Sequence, residues 1–294
     1  MTTLLGVDVG GSRLKAVVVD GPRVEQVAEE RIPGTDVIRF AADRTAAFVR
    51  SHRPGAVGVG LAGLVDLSGR FVWGPHLPGG PVDVTAVLSA RVGIPLAVDN
   101  DSTCALVAEV ERGVLRGYSD AALVAIGSGI GAGLMLGGTV VRGAHGFAGE
   151  VGHLPFEPDG RPCACGRRGC WETVVSGERL DAEAARLLGP SAAAPELVAA
   201  ARSGDPAASA VLSEVGAALG KGVAGLVLTL DVEAVAVAGG VSAAGDDLLE
   251  PARAAIASEM SGAGHRPEPE LLAARFGRLS GAVGAALRAD GGTT

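Results

Sequence analysis

In LLGVDVGGSRLKAVVV, residues 4–19, an apolar run meets Gly10-Gly11-Ser12 and a second apolar run follows from Leu14 to Val19. Short runs rich in Val and Leu favour strands, and glycine accepts the backbone of a tight turn, so the pattern reads as strand, glycine turn, strand. The pattern returns at 121–141, AALVAIGSGIGAGLMLGGTVV, as strand, Gly-Ser-Gly turn, strand, second turn and third strand. Self-similarity of this kind implies two related α/β halves, each presenting a glycine turn to a shared cleft. Arg116–Asp120, between the two runs, is the expected domain boundary.

Working outward, the first half continues with a strand near 24–31, a helix over 36–52 and a buried strand at 56–61. A loop rich in Gly and Pro follows at 69–81, then a short helix near 83–91 and the strand Leu96-Ala97-Val98. The polar segment Asp99-Asn100-Asp101-Ser102 comes next, with Asp101 or Ser102 as the cap of a helix running to about Arg112. In the second half helices are expected near 178–189, 195–203, 206–229 and 246–260, strands at 234–238 and 271–274, and a closing helix after Ser280.

The 294 residues suffice for two domains. Residues are 48% apolar but only 3% aromatic, so the core is one of Ala, Val and Leu, as in a layered α/β protein. A formal charge of −8 argues against a nucleic-acid partner, because no basic run is present to displace counterions from phosphates. No secretory leader is evident and no apolar run approaches the roughly 20 residues of a membrane helix, so no membrane partner and a cytoplasmic location are expected. There, clustered thiols hold metal more readily than they form disulfides.

Three of the four cysteines fall within residues 143–176, GAHGFAGEVGHLPFEPDGRPCACGRRGCWETVVS. His153, Cys163, Cys165 and Cys170 make a set able to close a tetrahedral zinc site, structural because four protein ligands leave no open position for water. The remaining cysteine, Cys104, reads as a small buried hydrophobe. Glu150 and Glu172 bracket the segment; each accepts two hydrogen bonds, which suits the vicinal hydroxyls of a sugar, and a solvated surface glutamate is the competing reading for either. The turn of Asp8, Gly10, Gly11 and Ser12 offers bare backbone amides to phosphate oxygens, and the turn of Gly127, Ser128, Gly129 and Gly131 has the same character. For either, an ordinary hairpin turn is the competing reading. A third turn, Gly239-Gly240, follows a strand and precedes a helix, where a nucleotide's sugar or base can lie, though a tight strand-to-helix turn explains it equally well. Asp101 ends a strand and opens a helix, a place from which a carboxylate takes a proton from a substrate hydroxyl. Helix capping is the alternative for Asp101, and Asp99 is a second candidate.

Together these motifs resemble the ROK family (repressors, open reading frames, sugar kinases), through Asp8-Val9-Gly10-Gly11-Ser12, Asn100-Asp101, Gly127–Gly133, His145–His153 and Cys163-x-Cys165-Gly166-x2-Gly169-Cys170-x-Glu172. The resemblance implies a two-domain actin-like ATPase (ribonuclease H-like) fold with ATP in the cleft between domains. A smaller domain over 1–117, completed by the C-terminal helix at about 280–294, and a larger one over 118–279 carrying the zinc loop are then expected. The activity implied is ATP-dependent phosphorylation of a hexose at its 6-hydroxyl, glucose first. N-acetylglucosamine, N-acetylmannosamine, mannose and fructose are alternatives. Carried over, Asp101 is the general base; Asn100, Glu150, His153 and Glu172 grip the other hydroxyls; Asp8 helps place Mg2+; Gly239-Gly240 lies near the adenosine.

Three departures bear on this. Ala62 stands where many glucose-directed relatives carry proline, and Asp101-Ser102-Thr103 replaces the more usual Asp-Ala-Asn. Phe276-Gly277-Arg278 stands where an acidic pair is common after the glycine. The Gly-Gly-Ser turn with Lys15 is also similar to actinobacterial polyphosphate glucokinases, which brings in polyphosphate as a second donor. Family members form dimers or tetramers, so a homodimer or homotetramer is expected. A non-catalytic sugar-sensing regulator is the rival from another class. Such regulators carry an N-terminal helix-turn-helix, whereas the Asp8 turn here begins within ten residues of Met1.

Overall fold

A computed structural model describes residues 2–34, 36–262 and 264–291. Strands β1 (Leu4–Val9), β2 (Arg13–Asp20) and β3 (Arg23–Arg31) form an antiparallel meander, followed by helix α1 (Val37–His52) and strand β4 (Ala56–Leu61). Short strands β5 (Leu64–Val65), β6 (Arg70–Trp73) and β7 (Val82–Asp83) precede helix α2 (Val84–Val92), strand β8 (Leu96–Asn100) and helix α3 (Asp101–Arg112). Then come β9 (Ala121–Ile126), β10 (Ile130–Leu136) and β11 (Thr139–Val140), the cysteine loop, and helices α4 (Gly177–Leu188), α5 (Ala194–Arg202) and α6 (Pro206–Leu230). The chain closes with β12 (Ala234–Ala238), α7 (Asp246–Glu259), β13 (Glu270–Ala273) and α8 (Ser280–Ala289). The last three residues expected in the closing helix, 292–294, lie outside the described residues.

The repeat read at 4–19 and 121–141 reappears as topology. One sheet runs β3-β2-β1-β4-β8 and the other β11-β10-β9-β12-β13, each a meander extended by two parallel strands. In the first sheet Val9 pairs with Leu61 and Leu61 with Asn100, so β1, β4 and β8 end at one edge. In the second, Ala125 pairs with Ala238 near the corresponding edge of β9 and β12. Turns leaving these edges therefore face one crevice, where parallel sheets collect their ligands.

Alternating side chains sort into three cores. Leu5, Val7, Val57 and Val59 pack outward with Ile38, Ala42 and Leu88 of α1 and α2. Val124, Val235 and Val237 pack outward with Leu212, Val215, Leu219 and Leu248 of α6 and α7. Between the sheets, Leu106 and Val107 of α3 and Val283 and Leu287 of α8 join Leu4, Val17, Leu123 and Ala236 in a shared core. The order of layers is helices, sheet, α3 with α8, sheet, helices.

Glycine makes the central layer tight. A Cβ on Gly58 of β4 would sit 1.7 Å from Ala285 O, and one on Gly284 of α8 would sit 1.6 Å from Cys104 O. The same layer holds Glu109, a fully buried carboxylate at the end of α3. It accepts from the N–H groups of Val114, Arg275 and Phe276 and from the Ser280 hydroxyl, buckling α3 to the segment that enters α8.

Three expectations are corrected. The 69–81 segment is not all loop, since β6 lies within it and pairs with β5 and β7 in a small sheet of its own. The α3 cap is neither Asp101 nor Ser102: Asn100 Oδ1 accepts the N–H groups of Ser102 and Thr103, both at 2.9 Å. Finally, α6 is a 25-residue helix long and apolar enough to cross a membrane, with an 18-residue window of mean hydropathy 1.5, contrary to the expected absence of such a run. It packs as a core helix, with Leu212, Val215, Leu219 and Val223 buried against the second sheet and α7.

Candidate active site

Asp8, at the end of β1, is buried and lies directly opposite Lys15 of β2 in the hairpin register. Lys15 Nζ donates to Asp8 Oδ2 at 3.0 Å. The charge of Asp8, opposed by burial and reinforced by Asp101, raises the Lys15 pKa, so the ammonium is held charged at the base of the turn. Gly10, Gly11 and Ser12 lead out of this pair, with Gly10 N donating to Arg13 O.

At the end of β8, Asp99 and Asp101 part ways. Asp99 Oδ2 takes Arg142 NH2 at 2.6 Å and lies 3.3 Å from Arg288 Nε, so its charge is consumed inside the fold. Asp101, the first residue of α3, accepts the Ser102 N–H and hydroxyl on Oδ1, while Oδ2 has no hydrogen bond among the described residues and Asp101 lines the cavity. Burial, and then the neighbouring Asp8 charge, push its pKa up to about 6 against the lowering effect of Ser102 and Lys15. Asn100 is nearly saturated: besides capping α3 it donates from Nδ2 to Gly63 O at 3.0 Å, which leaves one N–H for a ligand.

The second turn faces the first across the crevice. Gly127 N donates to Gly129 O, and Gly127 O accepts from Gly177 N at the start of α4. A Cβ on Gly127 or on Gly240 would meet nothing within 4 Å, and neither has a positive φ, so no protein contact demands glycine there. An approaching ligand would. Gly239, by contrast, has φ +89° and lies against the Ile126 backbone, which accounts for it structurally.

The loop of 143–176 closes the cavity. Its free cysteines form no disulfide, and one ligand atom from each of His153, Cys163, Cys165 and Cys170 lies within 4.8 Å of the others. Cys165 and Cys170 Sγ are 3.7 Å apart, and Cys163 Sγ is 3.6 Å from His153 Nδ1. Ligands about 2.3 Å from a tetrahedral centre lie roughly 3.8 Å apart, and these two pairs match that spacing, so the donor set suits zinc. His153 thus turns Nδ1 to the cluster, while Nε2 lies 3.9 Å from Glu150 Oε2. Glu172 links cluster and cavity: Oε1 lies 3.4 Å from His153 Nδ1 and accepts from Cys163 Sγ, and Oε2 accepts from Ile130 N. Burial first, then Asp101 and Glu172, push the Glu150 pKa up to about 7.

One cavity of about 920 Å³ is lined by Asp8, Gly10, Gly11, Ser12, Asn100, Asp101, Gly127, Ser128, Gly129, Gly131, Glu150, His153, Glu172, Gly239 and Gly240, but not by Asp99 or the three thiols. Lys15, His76 and Arg278 line it too and were not singled out as site residues from the sequence. For Lys15 the signal was there, because a tight hairpin sets positions 8 and 15 opposite each other. Arg278 bonds Glu29 and Gln26 of β3, tying the segment before α8 to the first sheet.

Paired five-stranded sheets of one topology, with glycine turns facing across a cleft, define the two-domain actin-like ATPase fold. The chain belongs to the ROK family, whose profile matches residues 4–291. It is 32% identical to a glucokinase of Streptomyces coelicolor, over 97% of each chain. An N-acetylmannosamine kinase of Salmonella typhimurium is 30% identical over 99% of each. A solved ROK family glucokinase from Streptomyces griseus, in complex with glucose and AMPPNP, superposes with a TM-score of 0.91 at 33% identity, covering 99% of this chain and all (100%) of that one.

Proposed function

We propose that the protein is a sugar kinase that transfers the terminal phosphoryl group of ATP to the 6-hydroxyl of a hexose, glucose first. The observation that carries this is Asp101, which lines the same cavity as both glycine turns and whose Oδ2 makes no hydrogen bond among the described residues. Asp101 takes the proton of the hydroxyl as its oxygen bonds to phosphorus. The bond from phosphorus to the bridging oxygen of ATP breaks, and ADP leaves with that electron pair. Little covalent work falls to the protein in such a transfer, so positioning and fixed dipoles supply most of the rate.

Glu150, Glu172, His153 and the spare N–H of Asn100 are assigned to the remaining hydroxyls. The amides of Gly10–Ser12 and Gly127–Gly131 are assigned to the phosphates, and Gly239-Gly240 to the adenosine side. Mg2+ suits Asp8, whose second carboxylate oxygen is not taken by Lys15; with the phosphates it would neutralise charge on the transferred group. Zn2+ suits His153, Cys163, Cys165 and Cys170, holding the sugar loop rather than reacting. We also assign residues 1–117 with α8 to the smaller domain and 118–279 to the larger, and place the protein in the cytoplasm.

The choice of sugar rests on glucokinase relatives, with an N-acetylmannosamine kinase relative as the reason to test others. An ADP-release assay over glucose, N-acetylglucosamine, N-acetylmannosamine, mannose and fructose should give the highest kcat/KM with glucose. Repeating it with polyphosphate tests the donor. Absence of turnover with every sugar would refute the kinase reading.

A further inference from the structure

His76 has no place in the roles above, yet it stands at the seam of the cavity. It sits after β6 in a segment pinned from both sides: Leu77 is buried in the outer core of the first sheet, and Leu77 N donates to Gly74 O. The ring therefore comes from a fixed loop. It reaches the turns of both halves. A Cβ on Gly11 would sit 2.6 Å from His76 Cβ, and one on Gly129 would sit 3.3 Å from His76 Nε2. Across the cleft, Nδ1 lies 3.9 Å from Glu178 Oε1 in the first turn of α4, too far for a hydrogen bond.

Nε2 is buried and has no hydrogen-bond partner among the described residues. A buried imidazole nitrogen without a partner is costly, so such an atom in a residue that lines the cavity gains from a partner that arrives with the ligand. Because the ring lies between the two turns assigned to phosphates, an anion bridging those turns passes beside Nε2. We infer that His76 is a further catalytic residue, donating an Nε2–H hydrogen bond to the phosphoryl group in transit. No proton is transferred in this role. The imidazole adds a fixed donor where negative charge is shared between the leaving and attacking oxygens, and rigid donors of this kind contribute most when they are aimed before the reaction.

This rests on the kinase reading and is tested beside it. His76→Leu should lower kcat about 10- to 100-fold, the range for loss of one such donor, with the KM for sugar within two-fold of the parent. His76→Gln, whose amide nitrogen reaches nearly as far as Nε2, should recover most of the loss. As a second readout, ADP with aluminium fluoride and sugar should inhibit the parent tightly and His76→Leu weakly, while sugar binding followed by tryptophan fluorescence stays unchanged. A folded His76→Leu variant that keeps its kcat, or loses only sugar affinity, overturns the assignment and leaves the kinase reading intact. No turnover by the parent on any sugar refutes both.

Discussion

Asp101 shows how a single carboxyl acquires a task from its surroundings. Its pKa of about 6, against an ordinary 3.8, means that it binds a proton more tightly in the fold than in the unfolded chain. Ionising it therefore costs stability, and this cost sets in as pH rises through the window from 3.8 to about 6. At neutral pH the ionised, destabilised form is the one that works as a base. Asp101→Asn should thus lower kcat by about 10²–10⁴, while raising Tm at pH 7.5 by a few degrees. In the parent, kcat/KM should fall as pH drops through about 6. A variant that loses stability along with activity would assign Asp101 to the framework instead. The sequence narrows the base to Asp99 or Asp101 but does not separate them on residue type or spacing. What separates them is Arg142 and Arg288, which occupy Asp99 from positions that only the folded chain brings near.

Among elements, those with a sustained period or a glycine turn were legible: the two repeated hairpins, the helices and the parallel strands fall where the residues place them. The β5-β6-β7 sheet was not, because two of its strands have only two residues and show no alternation. The cysteine loop was legible as a ligand set, yet its anchorage was not. Trp171, one residue beyond Cys170, is buried, donates from Nε1 to Ala218 O of α6, and rests where Gly222 leaves room for its ring. The loop is thus anchored on α6 through Trp171, and the ligand cluster would give it a second anchor with metal bound, with Glu172 between them reaching the second glycine turn. Removing one ligand should free the cluster end alone. Cys165→Ser is expected to lose about one equivalent of zinc per chain and to raise the sugar KM at least ten-fold, while α6 and the rest of the fold stay intact by circular dichroism. Metal analysis that finds no zinc in the native protein would end this account.

At the scale of the whole molecule, the shared layer of α3 and α8 governs what can move. Both sheets pack on it, Gly58 and Gly284 let backbone meet backbone there, and Glu109 fastens its two helices, so the layer resists separation. The ties between the halves that lie outside it, Arg142 to Asp99 and Arg278 to Glu29 and Gln26, sit beside α8, whereas at the cleft His76 and Glu178 stop short of a hydrogen bond at 3.9 Å. Any rotation of one half against the other must then turn about α3 and α8, moving the Gly127–Gly131 turn towards the Gly10–Ser12 turn. Sugar has reason to drive that motion, because its assigned partners come from both sides: Asn100 and Asp101 from β8 and α3, and Glu150, His153 and Glu172 from the loop on the second sheet. Closure also keeps water from the phosphoryl group. Small-angle scattering should therefore show a smaller radius of gyration with glucose than without it. Hydrogen exchange should slow at 127–131 in the same samples, and ATP hydrolysis without sugar should stay far below the rate of sugar phosphorylation. An unchanged radius together with unchanged exchange would mean that the cleft is already closed, and exclusion of water would then have to come from the cavity walls themselves.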